Sequence, residues 1–251
     1  MLVICNGAYK SGSTWLFRIV QEMTGYALPP ERFARPGWSG TGVSPHLLKA
    51  FLDEVDYASH DYVFKAHIFY KHHLVAKRPH VTLLNITRDI RDVVVSAFHY
   101  ERMKGRYAGD DFAGYYSTRG RDVIRMVARY NRLWTATPNT FTINYERLHD
   151  SFGDELAKLA RFLGVTLKEG EVDRIHAATA IDQMRERYNE VSPDGQMQFY
   201  RKGEVGDWHN HFDDARSADA LRLEQAEASF PTPLHLALNR ARCIFRGHDI
   251  E

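Results

Sequence analysis

Leu2-Val3-Ile4-Cys5-Asn6, followed by Gly7-Ala8-Tyr9-Lys10-Ser11-Gly12-Ser13-Thr14-Trp15, is the stretch on which the fold turns. The first five residues read as a short buried strand that Gly7 ends. Leu16, Ile19, Val20 and Met23 then recur at helical spacing, with Gly25 positioned to stop the helix. A strand, a glycine-containing turn and a helix amino terminus aim several backbone N–H groups at one point. Lys10 adds a positive charge, and Ser13 and Thr14 add hydroxyl donors, so the stretch is an anion cradle. It differs from the nucleotide-hydrolase pattern G-x-x-x-x-G-K-[ST], because Lys10 precedes the second glycine. The Ser or Thr that would hold magnesium in that pattern is therefore missing.

Outward from this loop, the pattern of short strands and helices repeats. Tyr62 to Phe69 alternates as a strand, and Val81 to Thr87 is a β-branched run suited to a buried parallel strand. Ile90, Val93, Val94 and Ala97 mark a helix behind it. Thr140 to Asn144 is a fourth strand, backed by a helix with Leu156, Leu159, Ala160 and Leu163 on its apolar face. Leu28 to Val43 and Gly105 to Gly120 read as loops, and Arg121 to Trp134 as a helix. Asp173 to Tyr188 is mostly helical, 189–215 is polar, and the tail carries one or two helices. Strands alternating with amphipathic helices predict an α/β fold with a parallel sheet. Ligands of such sheets bind at the carboxyl ends of the strands. The residues after Asn6, those around Lys65 and His67, and those after Thr87 are thus expected to converge. No repeat or linker divides the 251 residues, so one domain spanning 1–251 is expected.

Composition narrows the class. Lys plus Arg number 33 and Asp plus Glu 32, which leaves no bulk charge for nucleic acid. Cys5 and Cys243 are the only cysteines, too few for a disulfide framework or a four-cysteine zinc site. The opening apolar run is too short for a signal peptide, and no stretch approaches the roughly 18 apolar residues of a membrane span. A cytoplasmic protein with neither nucleic-acid nor membrane partners is the expectation. The oligomeric state stays open.

Two more clusters sit beyond the loop. Arg88 ends the third strand in Thr87-Arg88-Asp89-Ile90-Arg91-Asp92-Val93-Val94-Val95-Ser96, and Ser96 follows about two helical turns later. An arginine fork near a hydroxyl suits a phosphate monoester. Far along the chain, Arg201-Lys202-Gly203-Glu204-Val205-Gly206-Asp207-Trp208 sets two adjacent cations in a glycine-containing loop. Lys10-Ser11-Gly12-Ser13-Thr14-Trp15 resembles the 5′-phosphosulfate loop of the sulfotransferase family, which uses 3′-phosphoadenosine 5′-phosphosulfate (PAPS) as donor. Arg88 and Ser96 match the family's 3′-phosphate segment. The string from Arg201 to Phe212 is similar to its R-K-G motif, which closes over the 3′-phosphate and adenosine. Asn144-Tyr145-Glu146 resembles a Tyr-Glu segment, and Thr179 to Met184 the segment that touches the nucleotide. There Ile181 stands where an aromatic is frequent, so the resemblance leaves adenine stacking mainly to Trp15.

What the resemblance implies is a three-layer P-loop-type fold, a central parallel sheet flanked by helices. It also implies a PAPS-dependent sulfotransferase that releases adenosine 3′,5′-bisphosphate (PAP). Its donor contacts would come from Lys10, Ser11, Gly12, Ser13, Thr14, Trp15, Arg88, Ser96, Tyr145, Thr179, Ile181, Arg201, Lys202 and Gly203. In the family a serine at the position of Ser96 also restrains the donor lysine.

Sulfuryl transfer needs a held donor, an in-line acceptor, removal of the acceptor's proton and neutralised charge on the leaving phosphate. Lys10 and the loop amides suit the last task, and Lys65 suits the non-bridging oxygens of the moving group. Lys65 and His67 project together from a mostly apolar strand end, a costly choice for a core. His67, with an ordinary pKa of about 6.5, is matched to proton acceptance at neutral pH. The segment resembles the family's Lys-x-His motif, whose histidine is the base. His72-His73 and His209-x-His211 lack a third ligand at sensible spacing, so no metal is expected.

The acceptor, a small molecule with a hydroxyl or an amine, is not legible in the sequence. Its pocket is expected from 28–60 and 104–120, where Tyr107, Phe112, Tyr115 and Tyr116 suit either a pocket wall or the packing of the loop itself. Arg106, Asp110, Asp111, Arg119 and Arg121 also suit a polar acceptor. A P-loop kinase would share the sheet and the anion loop but should prefer ATP with magnesium. A nucleotide-binding module without turnover would have no need of Lys65 and His67.

Overall fold

Four apolar runs form the sheet of the computed structural model, which describes residues 1–37, 40–69, 71–189, 195 and 198–229. They are β1 (Leu2–Gly7), β2 (Tyr62–Ala66), β3 (Val81–Thr87) and β4 (Thr140–Asn144). All pairs are parallel, in the order β2-β1-β3-β4. The chain leaves β1 for β2 on one side and then crosses to β3 on the other. That reversal opens a crevice at the carboxyl end of β1, where ligands of open α/β sheets bind.

Alternation along the strands loads both faces. Leu2, Ile4, Phe64 and Leu83 pack on one side with Val93, Val94, Phe98, Ile124 and Trp134. Val3, Cys5, Val63, Leu84 and Ile143 pack on the other with Leu16, Val20, Leu156, Leu159 and Ile175. The helices that supply these residues run in order as α1 (Ser13–Thr24), α2 (Leu48–Glu54), α3 (His72–Val75), α4 (Ile90–Met103), α5 (Phe112–Tyr115) and α6 (Arg121–Thr135). They continue as α7 (Tyr145–Asp150), α8 (Phe152–Leu163), α9 (Glu171–Ala178), α10 (Ile181–Tyr188) and α11 (Asp214–Ala228). The result is the three-layer α/β architecture expected, with helices on both faces of a parallel sheet.

Two details differ from the sequence reading. β2 ends at Ala66 instead of running to Phe69, because the Asn6 side chain takes the Ile68 N–H at 2.9 Å and breaks the backbone ladder. The stretch from Gly105 to Gly120 is only partly loop. Asp111 caps α5 through the Gly114 N–H at 2.6 Å, and a π-helical turn, Tyr116–Gly120, runs straight into α6. Gly25 does end α1, in the left-handed conformation. No described helix is long and apolar enough to cross a membrane. Cys5 is buried in the sheet, and Cys243, like the end of the tail, lies outside the described residues.

Candidate active site

A cavity of about 980 Å³ opens at the carboxyl ends of the strands. Its floor is the turn from β1 into α1. Lys10 sits there with φ 63°, a left-handed conformation that costs a non-glycine residue roughly 1–2 kcal/mol and marks a constrained site. Gly12 has φ 99°, and a Cβ on it would stand 2.7 Å from the Tyr145 ring. Only glycine lets the loop lie that close to Tyr145. The Lys10 ammonium lies 4.3 Å from the centre of the Tyr100 ring and 4.0 Å from that of Phe199.

Beside this turn stands the end of β2. Lys65 donates from Nζ to Thr14 Oγ1 at 3.1 Å, tying the second strand to the loop. His67 Nδ1 lies 2.6 Å from the Gly7 carbonyl oxygen. A carbonyl only accepts, so Nδ1 carries the proton and the lone pair is left on Nε2. Burial, reinforced by the charge of Lys65, drives the pKa of His67 down to about 3 against the pull of the Gly7 carbonyl. At neutral pH the ring is an uncharged base. Its backbone is clamped next door: Asn6 accepts from Ile68 N, and Trp134 Nε1 donates to Ile68 O at 2.7 Å.

The far wall is cross-bonded from three distant segments. Arg88 lies over the Tyr145 ring, 4.2 Å from its centre, and donates to the Glu204 carbonyl at 2.8 Å. Its Nε is buried with no hydrogen-bond partner among the described residues. Asp92, wholly buried, accepts from Gly206 N at 2.8 Å and Trp208 N at 2.9 Å. The Tyr145 hydroxyl donates to the Gly203 carbonyl at 2.9 Å. Arg201 and Lys202 both bond to Asp207. Burial pushes the pKa of Asp207 up, but hydrogen bonds from Lys202, Arg201 and Asn210 prevail and hold its carboxyl well below the usual range. The loop from Arg201 to Trp208 is thus pinned to α4 and α7 at several points, with its two cations facing the cavity.

The structure brings together nearly every residue singled out from sequence. Lys10, Gly12, Ser13, Thr14, Trp15, Lys65 and His67 line the cavity, as do Arg88, Ser96, Tyr145, Thr179, Ile181, Arg201, Lys202 and Gly203. Ser11 is the exception, fully buried below the turn, its N–H bonded to the Ala8 carbonyl. Trp15 stands edge-on to Tyr145, ring centres 5.2 Å apart. Ile181 packs against Gly203, where an added Cβ would approach to 3.1 Å. Of the aromatic cluster, Phe112, Tyr115 and Tyr116 are buried in the core and do not line the cavity. Sequence reasoning did not single out Arg18, Tyr100 and Phe199 as cavity residues, while Arg35, Thr41, Lys104 and Arg106 fall within the stretches 28–60 and 104–120 expected to build the acceptor pocket. It also missed the role of Asp92 as anchor, although the residue lay inside a quoted motif.

One group of potential metal ligands is new. His99, Asp207 and His211 hold ligand atoms within 4.8 Å of one another. Of the sequence pair His209-x-His211 only His211 takes part, joined by Asp207 and by His99 of α4. Asp207 already serves Arg201 and Lys202, and burial with the charge of Arg201 lowers the His99 pKa to about 4.

Comparison with known proteins agrees with this fold. The chain is 26% identical over 253 residues to a 3-beta-hydroxysteroid sulfotransferase of Cavia porcellus, covering 90% of this chain and 83% of that one. It is 26% identical over 251 residues to cytosolic sulfotransferase 11 of Arabidopsis thaliana, covering 83% and 67%. Among solved structures, mouse sulfotransferase SULT7A1 complexed with PAP superposes with a TM-score of 0.69 at 18% identity, over 96% of this chain and 88% of that one. The sulfotransferase domain model matches residues 2–223, nearly the whole chain, and the protein belongs to the sulfotransferase family.

Proposed function

We propose that this sulfotransferase takes its sulfuryl group from PAPS and passes it in line to a hydroxyl or amine of a small molecule, with His67 as general base. What carries the reading is that Lys10, Lys65, His67, Arg88, Arg201 and Lys202 line one cavity although the sequence scatters them over 190 residues. The residues fit the donor. Arg88 has a buried guanidinium N–H with no acceptor among the described residues, and Gly12, where Tyr145 leaves no room for a side chain, sets the turn at the cavity floor. PAP bound to the mouse relative supports the same ligand here.

PAPS supplies an activated sulfuryl group. Lys10 and the loop amides stabilise the phosphate oxygen from which sulfur departs, and Lys65 stabilises the sulfuryl oxygens. Ser96 restrains Lys10 until the acceptor arrives. His67 Nε2 takes the acceptor's proton as the acceptor–sulfur bond forms and the bond from sulfur to the 5′-phosphate breaks. Arg88, Ser96, Arg201, Lys202 and Gly203 hold the 3′-phosphate, and Trp15, Tyr145, Thr179 and Ile181 the nucleoside. These cations balance the charge of the step, so the proposal includes no metal. The chain acts as one domain, and the name of the Arabidopsis relative supports a cytosolic location.

Calorimetry tests the donor: PAP should bind with clear heat, and ATP with magnesium should not displace it. Labelled sulfate from PAPS should then appear in a pool of alcohols, phenols and amines. A preference for ATP–magnesium, or tight PAP binding with no transfer to any acceptor, refutes the reading.

A further inference from the structure

Behind the Arg201 wall two histidines, neither used in the transfer, meet the carboxylate that holds the wall's cations. Asp207 opens the short helical turn Asp207–Asn210, and His211 closes it. His99 reaches the same point from α4, one turn after Ser96. The two imidazole rings stand 5.4 Å apart, centre to centre, at 76° to one another. His211 Nε2 lies 3.8 Å from Asp207 Oδ2, and one ligand atom from each of the three side chains falls within 4.8 Å of the others.

What separates this group from chance neighbours is the state of its atoms. His99 Nε2 is buried and has no hydrogen-bond partner among the described residues, which is costly for a polar atom that nothing fills. Aromatic packing holds both rings, with Phe98 5.0 Å from His99 and Phe112 5.2 Å from His211. Asp207 is buried yet ionised, because its hydrogen bonds outweigh burial. Burial keeps both imidazoles uncharged at neutral pH, so each can offer a lone pair. Two imidazoles and one carboxylate suit a borderline divalent cation such as zinc, and supply too few oxygens for magnesium or calcium.

We propose that His99, Asp207 and His211 form a binding site for a zinc-class cation, separate from the reacting centre. The ion shares Asp207 with Arg201 and Lys202, which already bond to that carboxylate. Their two charges oppose it, so the free protein holds zinc with modest affinity. A phosphate set against Arg201 and Lys202 offsets that repulsion. PAP therefore tightens zinc binding, and by linkage zinc tightens PAP by the same factor. The coupling rests on the donor reading above, whereas the site itself does not.

Calorimetry with zinc chloride on the metal-free full chain, with and without PAP, tests both parts. Zinc should bind without PAP where magnesium does not, and PAP should tighten it by at least about fivefold, the low end of coupling between sites. His99→Ala and His211→Ala should each weaken zinc by at least about tenfold, while His209→Ala, an exposed neighbour outside the group, should leave it unchanged. If the ligand variants do not fold, anomalous scattering at the zinc edge from crystals of the zinc-loaded unaltered protein should place the ion between the three side chains. No zinc binding, equal binding by folded His99→Ala, a loss confined to His209→Ala, or an ion seated only elsewhere overturns the site. Unchanged or weaker zinc binding by protein that has taken up PAP overturns the coupling. Failure of PAP to bind refutes the donor reading instead, and the titration without PAP still decides the site.

Discussion

The two ends of the cavity are built differently. At the Arg201 end, each polar side chain answers to another segment: Tyr145 to Gly203, Arg88 to Glu204, Asp92 to Gly206 and Trp208. Three stretches separated by dozens of residues hold one another there before any ligand arrives. At the other end, Arg35 comes from a loop, and Lys104 and Arg106 from the turn that closes the carboxyl end of α4. The first arrangement is preorganised and fixes one ligand closely. The second supplies charge on flexible stems, which tolerates variation in what it meets. A donor common to many reactions and an acceptor particular to one would produce this contrast.

The junction between the ends is His67, and its removal is the largest break available. His67→Ala should lower transfer by about 10²–10⁴-fold, the usual worth of a positioned base. PAP affinity should barely move. Near-normal turnover would shift the role to His99 or to a carboxylate. The protonation of the wild-type ring sharpens the point. With its pKa pushed down to about 3, His67 stays neutral where an ordinary histidine is charged. kcat/KM for PAPS should therefore remain level as the pH falls to 5, and a fall centred near 6.5 would show that the ring titrates normally. Stability follows the same sign. The unfolded chain binds a proton at about 6.5 that the folded one refuses until about 3, so stability from this group is complete above 6.5 and is lost as pH falls through that window.

The contrast also explains what the sequence made legible. The turn from Gly7 to Trp15 could be read because a strand, a glycine at a forced φ and a helix start leave the chain few alternatives. The Arg88 and Arg201 segments were readable because a loop pinned at many points needs particular residues at particular spacings. Ser11 shows the limit: being in the motif did not reveal that its side chain turns inward. Residues 105–120 show another. Their low hydrophobicity suggested loop, yet Phe112, Tyr115 and Tyr116 fall at helical i, i+3, i+4 spacing behind an Asp cap, and that periodicity signalled the helix. Arg35 carried no local sign at all, since a lone arginine in a loop gains its meaning only from the fold that brings it beside His67.

Asp92 tests whether the two ends are energetically separate. It is fully buried, and Asp92→Ala strands the Gly206 and Trp208 N–H groups that it receives. The cost should be about 3 kcal/mol in stability, seen in denaturant unfolding. With the loop released from α4, PAP affinity should fall by more than about tenfold, while KM for the acceptor stays near its wild-type value at saturating PAPS. An equal loss at both ends would mean that the cavity works as one unit.

Tyr145→Phe makes the finest cut. The ring keeps its packing against Gly12 and Arg88, and only the hydroxyl's bond to the Gly203 carbonyl is removed. A single neutral hydrogen bond is worth about 0.5–1.5 kcal/mol net, so PAP should bind about two- to tenfold more weakly, with kcat nearly unchanged. The carbonyl left behind sits in a turn at the cavity edge, where water can satisfy it, which favours the lower figure. If calorimetry finds no change, the loop is held by Asp92 and Arg88 alone. A loss as large as that of Asp92→Ala would make the tyrosine, and not the buried aspartate, the link on which donor-side order depends.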